Sequence, residues 1–570
     1  MSAPSAAAPA APTSGDAPAL APAAPPTSGT APAPSWVFFA DHGFRTAVQE
    51  RDAIEAARLA LTPHAVERRA KVRAGVDLLD VAPASAYLDA VRATGAKIRV
   101  TSRWLNAVSV VADEAQIAAI RALPFVTKIQ AVAARPKGPR LVGPIVPVDV
   151  DRHKAPAPPN IKSLNYGDCF SQIHQIQVDQ LHAAGYSGAG VIVCMLDTGF
   201  LRTHASLVNV HVIAEHDFVQ GDSVTSNQDG DDPSQHSHGT ATLSILAGYD
   251  PGHLIGPAYG ASFALAKTET ISSETPIEED WWVAGAEWAD SLGADVISSS
   301  LGYLDWYTYQ DMDGNTAVTT IGADLAVANG ICAVNAAGNE GANPWHYIIA
   351  PADGDSVITI GAVDSLGTIS SFSSRGPTFD GRIKPDVCAM GQGDLFAIAG
   401  TPADYGRGSG TSFSTPLVAG VVTLLLQAHP SWTPVQVRQA LRATATRAMF
   451  PGNDYGWGIV RGMSAAGYAT GAPSLVAALR GAVLWASPNP SRDVTALRFA
   501  LPEDVGPSAI DLYDVSGRRV QHLDIGDAAS SGTASWDGRD SDGRAVPAGV
   551  YFARLRTPRG DVSTRLVRLQ

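Results

Sequence analysis

"VIVCMLDTGF", residues 191–200, carries an apolar run into an aspartate and then Thr-Gly. A short apolar run closed by a turn signal reads as a buried strand. Asp197 at its end suits two chemistries. It can share the activation of a water molecule with a second aspartate, or it can hold a histidine ring in place by accepting its N–H. A strand that merely ends in a turn would look the same. The first chemistry needs a second apolar run ending in Asp-Thr/Ser-Gly, here or on a partner, and no other DTG or DSG occurs in the sequence.

The 570 residues exceed one hydrophobic core, and length alone gives a soft prior of about four domains. With 45% hydrophobic and 17% charged residues the composition is that of a globular protein. A net charge of -14 argues against nucleic acid as a partner, because phosphate binding draws on a basic stripe. No apolar run reaches the roughly eighteen residues of a membrane span, so no transmembrane segment is expected. None of the four cysteines, Cys169, Cys194, Cys332 and Cys388, forms a CxxC pair, which disfavours a zinc or redox motif. Cys194 and Cys332 sit in apolar runs and read as buried filler, with one disulfide left open.

Composition divides the chain. Residues 1–34 are dominated by Ala, Pro, Ser, Gly and Thr and read as a disordered tail with no signal-peptide pattern. Residues 35–136 begin with an aromatic strand. "TAVQERDAIEAARLAL" follows as a helix, then a helix closed by Gly95, two strands, a helix capped by Asp113 and a last strand, a small α+β β-α-β-β-α-β (ferredoxin-like) module. Residues 137–164 are a Pro-rich stretch read as a stiff, exposed linker. Over 165–470 short apolar runs ("GVIVCMLD", "SFALAKT", "ADVISSSLG", "ICAVNAAG", "VITIGAV") alternate with helical stretches, which predicts an α/β fold whose mostly parallel sheet has helices on both faces. After a break at 471–490, residues 491–570 show short alternating segments parted by turns, a β-sandwich pattern.

Two further strings place chemistry on the edges of this fold. In "SQHSHGTATLSILAG" (234–248), His238 precedes a helix of small residues. In "GSGTSFSTPLVAGVVTLLLQAHP" (408–430), Ser412 lies between a glycine-rich turn and a long apolar helix. A helix N-terminus offers free N–H groups and positive potential. Serine needs a base to act as a nucleophile, histidine titrates in the useful range, and a buried carboxylate fixes its tautomer. His236 is a rival for the base but lacks the following Gly-Thr. Pro416 is expected to cost little near the helix start. Thr433, Pro434 and Gln436 spell a capping box.

The order Asp197, His238, Ser412 and the strings around them resemble the subtilisin-like serine proteases. "ADVISSSLGY", "AVNAAGNEGAN", "SSFSSRGPTFDGRIKPDV" and "DYGWGIVRGMSAA" match further signatures of that family. The resemblance implies a secreted serine endopeptidase in which Ser412 attacks, His238 is the base and Asp197 orients it. Asn339 would donate its side-chain amide to the oxyanion. Ser300, Leu301 and Gly302 would pair with the substrate backbone, and Ala336, Ala337 and Gly338 would wall the pocket for the side chain before the cut, with a floor near residues 348–350 and an apolar or broad preference. Residues 35–136 resemble the family's pro-domain, an intramolecular chaperone and inhibitor shed by cleavage within 136–160; a permanent accessory domain is the alternative. The C-terminal stretch is similar to FlgD-like sandwich domains and to sorting domains of type IX secretion, which implies export or surface attachment through that machinery.

Ala241 and Thr242 depart from the His-Val of many relatives, with no expected effect on competence. No cofactor is required for the chemistry and no metal site is assigned. Calcium at Asp229, Asp231 and Asp232, or in "DMDGN" (311–315), is weighed against a solvated acidic loop, and the loop is preferred. Two rival classes fail on particular residues. An α/β-hydrolase esterase would carry Gly-x-Ser-x-Gly, which is absent, and a non-catalytic adhesion protein on a dead scaffold would have lost one of Asp197, His238, Ser412 or Asn339.

Overall fold

Alternation builds the amino-terminal module: β1 (Ala33–Phe39), α1 (Ala47–Leu59), α2 (Pro63–Ala70), α3 (Ser85–Ala93), β2 (Lys97–Ser102), β3 (Ala107–Ala112), α4 (Glu114–Arg121) and β4 (Val126–Ala131). The strands form an antiparallel sheet in the order β2-β3-β1-β4. Val37 and Phe39 with Val108 and Val110 meet Val91 and Ile120 of the helices on one face, while Trp36 and Ala107 pack toward Val318 on the other, as the two-residue period requires. Asp113 and Gln116 cap α4 reciprocally. This computed structural model describes residues 33–73, 75–131, 146–148, 164–272, 275–468, 483–487, 491, 494–500, 509–525, 531–557 and 560–569. Residues 1–32 of the expected tail, and most of the stretches 137–164 and 471–490, lie outside the described residues, while Ala33 and Pro34 of that tail already belong to β1.

One part of the expected exposed linker is a strand instead. Val146–Val148 (β5) pairs antiparallel with Tyr405–Arg407. Its β-branched valines suit an edge position, where Pro147 is tolerated because a donor can be missing there.

The central part runs α5 (Phe170–His174), α6 (Val178–Ala183), β6 (Ile192–Asp197), β7 (His211–Asp217), α7 (Ser237–Ala247), a hairpin of β8 (Tyr249–Asp250) and β9 (Leu254–Ile255), β10 (Ser262–Lys267), α8 (Ile277–Leu292), β11 (Val296–Ser299), α9 (Val318–Ala328), β12 (Cys332–Ala336), β13 (Ile358–Val363), β14 (Val387–Met390), β15 (Gln392–Ala397), β16 (Tyr405–Ser409), α10 (Thr411–Ala428), α11 (Pro434–Thr444) and α12 (Gly462–Ala466). Seven strands form one sheet in the order β14-β13-β12-β11-β6-β10-β7, with every pairing parallel. Every residue of β11, β12, β13 and β14 is buried, as strands covered on both faces must be. α7 and α10 cover one face and α8 and α9 the other. Strands β7 and β14 were not apparent in the sequence, the first being a half-exposed polar edge and the second only four residues long. Contrary to the expectation that no run has the length of a span, α10 is long and apolar enough to cross a membrane, yet 83% of it is buried in this core.

The carboxy-terminal strands β17 (Val483–Ser487), β18 (Thr495–Ala500), β19 (Ala509–Asp514), β20 (Arg519–Asp524), β21 (Ser531–Trp536), β22 (Gly549–Thr557) and β23 (Gly560–Arg568) make two sheets, β17-β18-β21 and β20-β19-β22-β23. Leu497, Phe499 and Trp536 of one meet Ile510, Leu512 and Leu555 of the other in a single core, the expected sandwich. All four cysteines are free and buried, so the open disulfide question resolves to none. Burial pushes the thiols of Cys169 and Cys388 up to about 12, which makes them inert.

Charge ties the amino-terminal module to α8. Asp290 lies in the last turn of α8, where the helix dipole disfavours a carboxylate. Arg68 and Arg69 of α2, both fully buried, donate to it, and Arg103 adds a bond of 2.8 Å. The same module satisfies the orphan carbonyls at that helix end: Thr62 donates to Ser291 and Leu292, and Arg68 to Ala294. Further along, Arg99 and Ser109 engage Asp280, and Arg103 approaches Glu287. Burial raises these two carboxyls, Asp280 to about 6 and Glu287 to about 7.

Two predictions follow from these buried charges. Arg69→Ala strands Asp290 and Asp80 short of a partner and is expected to cost about 3–5 kcal/mol, read by thermal melting of the full chain in a Ser412→Ala background. Asp394 on β15 is fully buried with neither carboxylate oxygen hydrogen-bonded, and burial pushes it up to about 8 despite Arg407. The ordinary value is about 4, so folding takes up a proton, and stability present below about pH 4 is lost as the pH rises toward about 8. Asp394→Asn should therefore raise the melting temperature more at pH 9 than at pH 5, and an equal shift at both would contradict this.

Candidate active site

β6 delivers Asp197 to the carboxyl edge of the sheet, and α7 starts directly against it. That approach depends on Gly239, where an added Cβ would lie 2.1 Å from the carbonyl oxygen of Gly199 and 3.1 Å from the Asp197 Cβ. The glycine lets His238 reach the aspartate, and its Nδ1 lies 2.6 Å from Asp197 Oδ1. Asp197 is 1% exposed, and its carboxylate is fully used. Oδ1 also accepts from the Thr198 N–H at 2.8 Å, and the Thr242 hydroxyl, 3.0 Å from both Oδ2 and the Gly239 carbonyl, shares its proton between them. The departure at Thr242, expected to be inconsequential, therefore places a hydroxyl on the carboxylate. His236 is turned elsewhere, since its ring Nδ1 accepts from the Asn227 backbone N–H and its backbone N–H donates to Asn227 Oδ1.

Ser412 is the second residue of α10, and its hydroxyl donates to the Ser300 carbonyl at 3.2 Å. The His238 ring lies beside Phe413, centroids 6.4 Å apart, so His238 and the serine helix meet on the same edge. Pro416 is the sixth residue of that helix, deeper than expected. Its missing N–H leaves the Ser412 carbonyl without a helical donor, and Ser300 Oγ fills the gap at 2.9 Å. Ser300 thus touches the serine residue twice.

Asn339 follows β12. Its Oδ1 accepts from the Thr411 N–H at 2.8 Å and from the Thr411 hydroxyl at 3.0 Å. A backbone N–H can only donate, so this fixes the amide orientation and turns Nδ2 away from Thr411. Thr411, buried and absent from the sequence-derived site, sets that orientation and also accepts from the Gly338 N–H. Ser300, Leu301 and Gly302 leave β11, and the Leu301 carbonyl accepts from Asn335. Ala336 and Ala337, both buried, and Gly338 leave neighbouring β12.

The acidic loop is not simply solvated. Asp231 turns inward to Lys267, 2.8 Å away, and Lys267 also pairs with Asp217 at 2.9 Å. A buried ammonium stands among these carboxylates, which leaves them a poor fit to calcium. Asp232 caps Ser234, Asp311 caps Thr308 and Asp313 closes a turn on Asn315. Among the described residues no group of three or more His, Cys, Asp or Glu is arranged to hold a metal ion.

Comparison with known proteins agrees with this geometry. Residues 188–458 match the Subtilase family, residues 34–140 the Peptidase S8 propeptide domain of Bacteroidota, and residues 490–561 the FlgD Ig-like domain. Subtilisin E of Bacillus subtilis (strain 168) is 32% identical over 382 residues, covering 66% of this chain and 85% of that protein. Subtilisin of Bacillus pumilus is 35% identical over 309 residues, covering 54% and 99%. The fold resembles that of fervidolysin from Fervidobacterium pennivorans, described as a keratinolytic enzyme related to subtilisin, with a TM-score of 0.57, 21% identity and coverage of 92% of this chain and 70% of that one. The molecule is a serine endopeptidase that carries a propeptide. The chain belongs to the subtilase family.

Removing a hydroxyl bonded to a carboxylate typically costs about 1.5–3 kcal/mol. Thr242→Val is accordingly expected to lower the stability of the full chain by up to about that amount, read by thermal melting in a Ser412→Ala background, whereas Thr242→Ser loses much less. Equal losses in the two variants would mean the hydroxyl does not matter.

Proposed function

We propose that this protein hydrolyses peptide bonds through an acyl-enzyme with Ser412 as nucleophile, His238 as general base and acid, and Asp197 as the group that orients His238. The carrying observation is the 2.6 Å contact between His238 Nδ1 and Asp197. With Nδ1 donating to the carboxylate, the lone pair sits on Nε2, where it can take a proton. Substrate lies along Ser300–Gly302, and its N–H replaces the Ser412 hydroxyl at the Ser300 carbonyl. Ser412 Oγ attacks the scissile carbonyl carbon and His238 accepts the hydroxyl proton. The negative oxygen that forms is met by Asn339 Nδ2 and the Ser412 N–H at the positive end of α10. Collapse breaks the C–N bond, and His238 hands the proton to the departing amine. A water molecule then repeats the sequence and releases the acid.

The same reading makes residues 35–136 an inhibitory, folding-assisting propeptide removed by self-cleavage, 165–470 the peptidase and 491–570 a module for export or attachment outside the cell. The pairing of β5 with β16 of the peptidase supports a cut ahead of Val146, within the first part of the 136–160 stretch. Calcium is not needed for the chemistry.

Intact mass followed over time, with casein as added substrate, tests the proposal. The parent should shed its propeptide and cut casein, Ser412→Ala should stay full length and inert, and Asn339→Ala should lose about a hundred- to thousandfold in kcat, the loss known for such a donor in a subtilisin. Casein cleavage by Ser412→Ala at the parental rate would remove Ser412 from the mechanism.

A further inference from the structure

The two strands that would flank a bound peptide end in Gly302 and Gly338, and the space between these glycines is filled. A Cβ built on Gly302 would lie 2.5 Å from Ile349 Cδ1 and 2.8 Å from its Cγ1. One built on Gly338 would lie 3.0 Å from each of the same two atoms. A single side chain therefore touches both walls at once. Ile349 is 3% exposed, so it is packed into this gap and does not lie across it in solvent.

The position is held from both sides. Ile349 N–H donates to Ala337 O of one wall at 3.3 Å, while Ala350 and Tyr303, next to Gly302, exchange backbone bonds of 2.8 and 3.2 Å. Ile348 N–H is tied to Arg375 O at 3.0 Å. A β-branched side chain on a backbone clamped in this way has few rotamers to retreat to. A large substrate side chain entering between Gly302 and Gly338 would have to displace it, and overpacking of that kind is penalised.

We propose that Ile349 is the floor of the pocket for the side chain on the acyl side of the cleaved bond, and that it confines this position to small residues such as alanine, glycine or serine. The inference rests on the roles given above to Ser412 and to the 300–302 and 336–338 walls. It replaces the broad apolar preference suggested by the small walls alone, because Ile349 occupies the space those walls leave.

The test uses tetrapeptide p-nitroanilides that differ only in the last residue, Ala or Phe, with the matured parent, Ile349→Ala, Ile349→Gly and Ser412→Ala. The parent should favour Ala over Phe by about tenfold or more in kcat/KM, and each Ile349 variant should raise the Phe-to-Ala ratio by about tenfold or more, the scale at which a hydrophobic pocket discriminates size. The ratio is read within each variant, so a general loss of folding or turnover does not blur it. A parent that cuts Phe as well as Ala, or a ratio that stays within about twofold in both variants while Ser412→Ala is inert, overturns the role of Ile349 alone. Parental rates in Ser412→Ala would instead overturn the assignment of the nucleophile on which it rests.

Discussion

Parallel strands end together. Because β6, β11 and β12 run side by side in one direction, their carboxyl ends open on a single edge of the sheet, and Asp197, Ser300–Gly302 and Ala336–Asn339 emerge within reach of one another. Crevices at the carboxyl ends of parallel strands are where open α/β sheets bind ligands. The edge becomes a site only because two helices begin there. α7 comes close enough at Gly239 for His238 to meet Asp197, and α10 brings Ser412 to Ser300 and Thr411 to Asn339.

The amino-terminal module bears on this edge indirectly, through α8, which covers one face of the same sheet. An aspartate in the last turn of a helix opposes the dipole, and carbonyls at a helix end need donors. Arg68, Arg69, Arg103 and Thr62 meet both needs from outside the peptidase. A non-local parallel sheet is slow to assemble, and a partner that completes one of its covering helices is well placed to help it form. Were that module removed as proposed above, water would take over those bonds.

Much of the fold was legible because its signals are local. Fully buried strands read as unbroken apolar runs, the helix starting at Pro434 announces itself with Thr433 and Gln436, and a histidine followed by Gly-Thr before small residues marks a helix that must come close to something. Edge elements were not legible. Strand β7 is half polar, and β5 looks like linker because its pairing partner lies far along the chain, at Tyr405–Arg407. Pro416 looked harmless by position, yet the carbonyl it leaves free is satisfied by Ser300, a residue on another strand. Asp231 looked like a surface or calcium residue until Lys267, at the end of a buried strand, came to face it.

The sequence by itself determined the order Asp197, His238, Ser412, the presence of Asn339 and the parallel sheet that carries them, because each is written in a contiguous string whose residue types admit few other conformations. Only the tertiary structure decided what supports and limits them: the hydroxyl of Thr242 on the carboxylate, the grip of Thr411 on the Asn339 amide, and the side chain of Ile349 between two glycines. These are contacts between residues distant in the chain. Their partners are chosen by how helices and strands pack, and no local pattern records that choice.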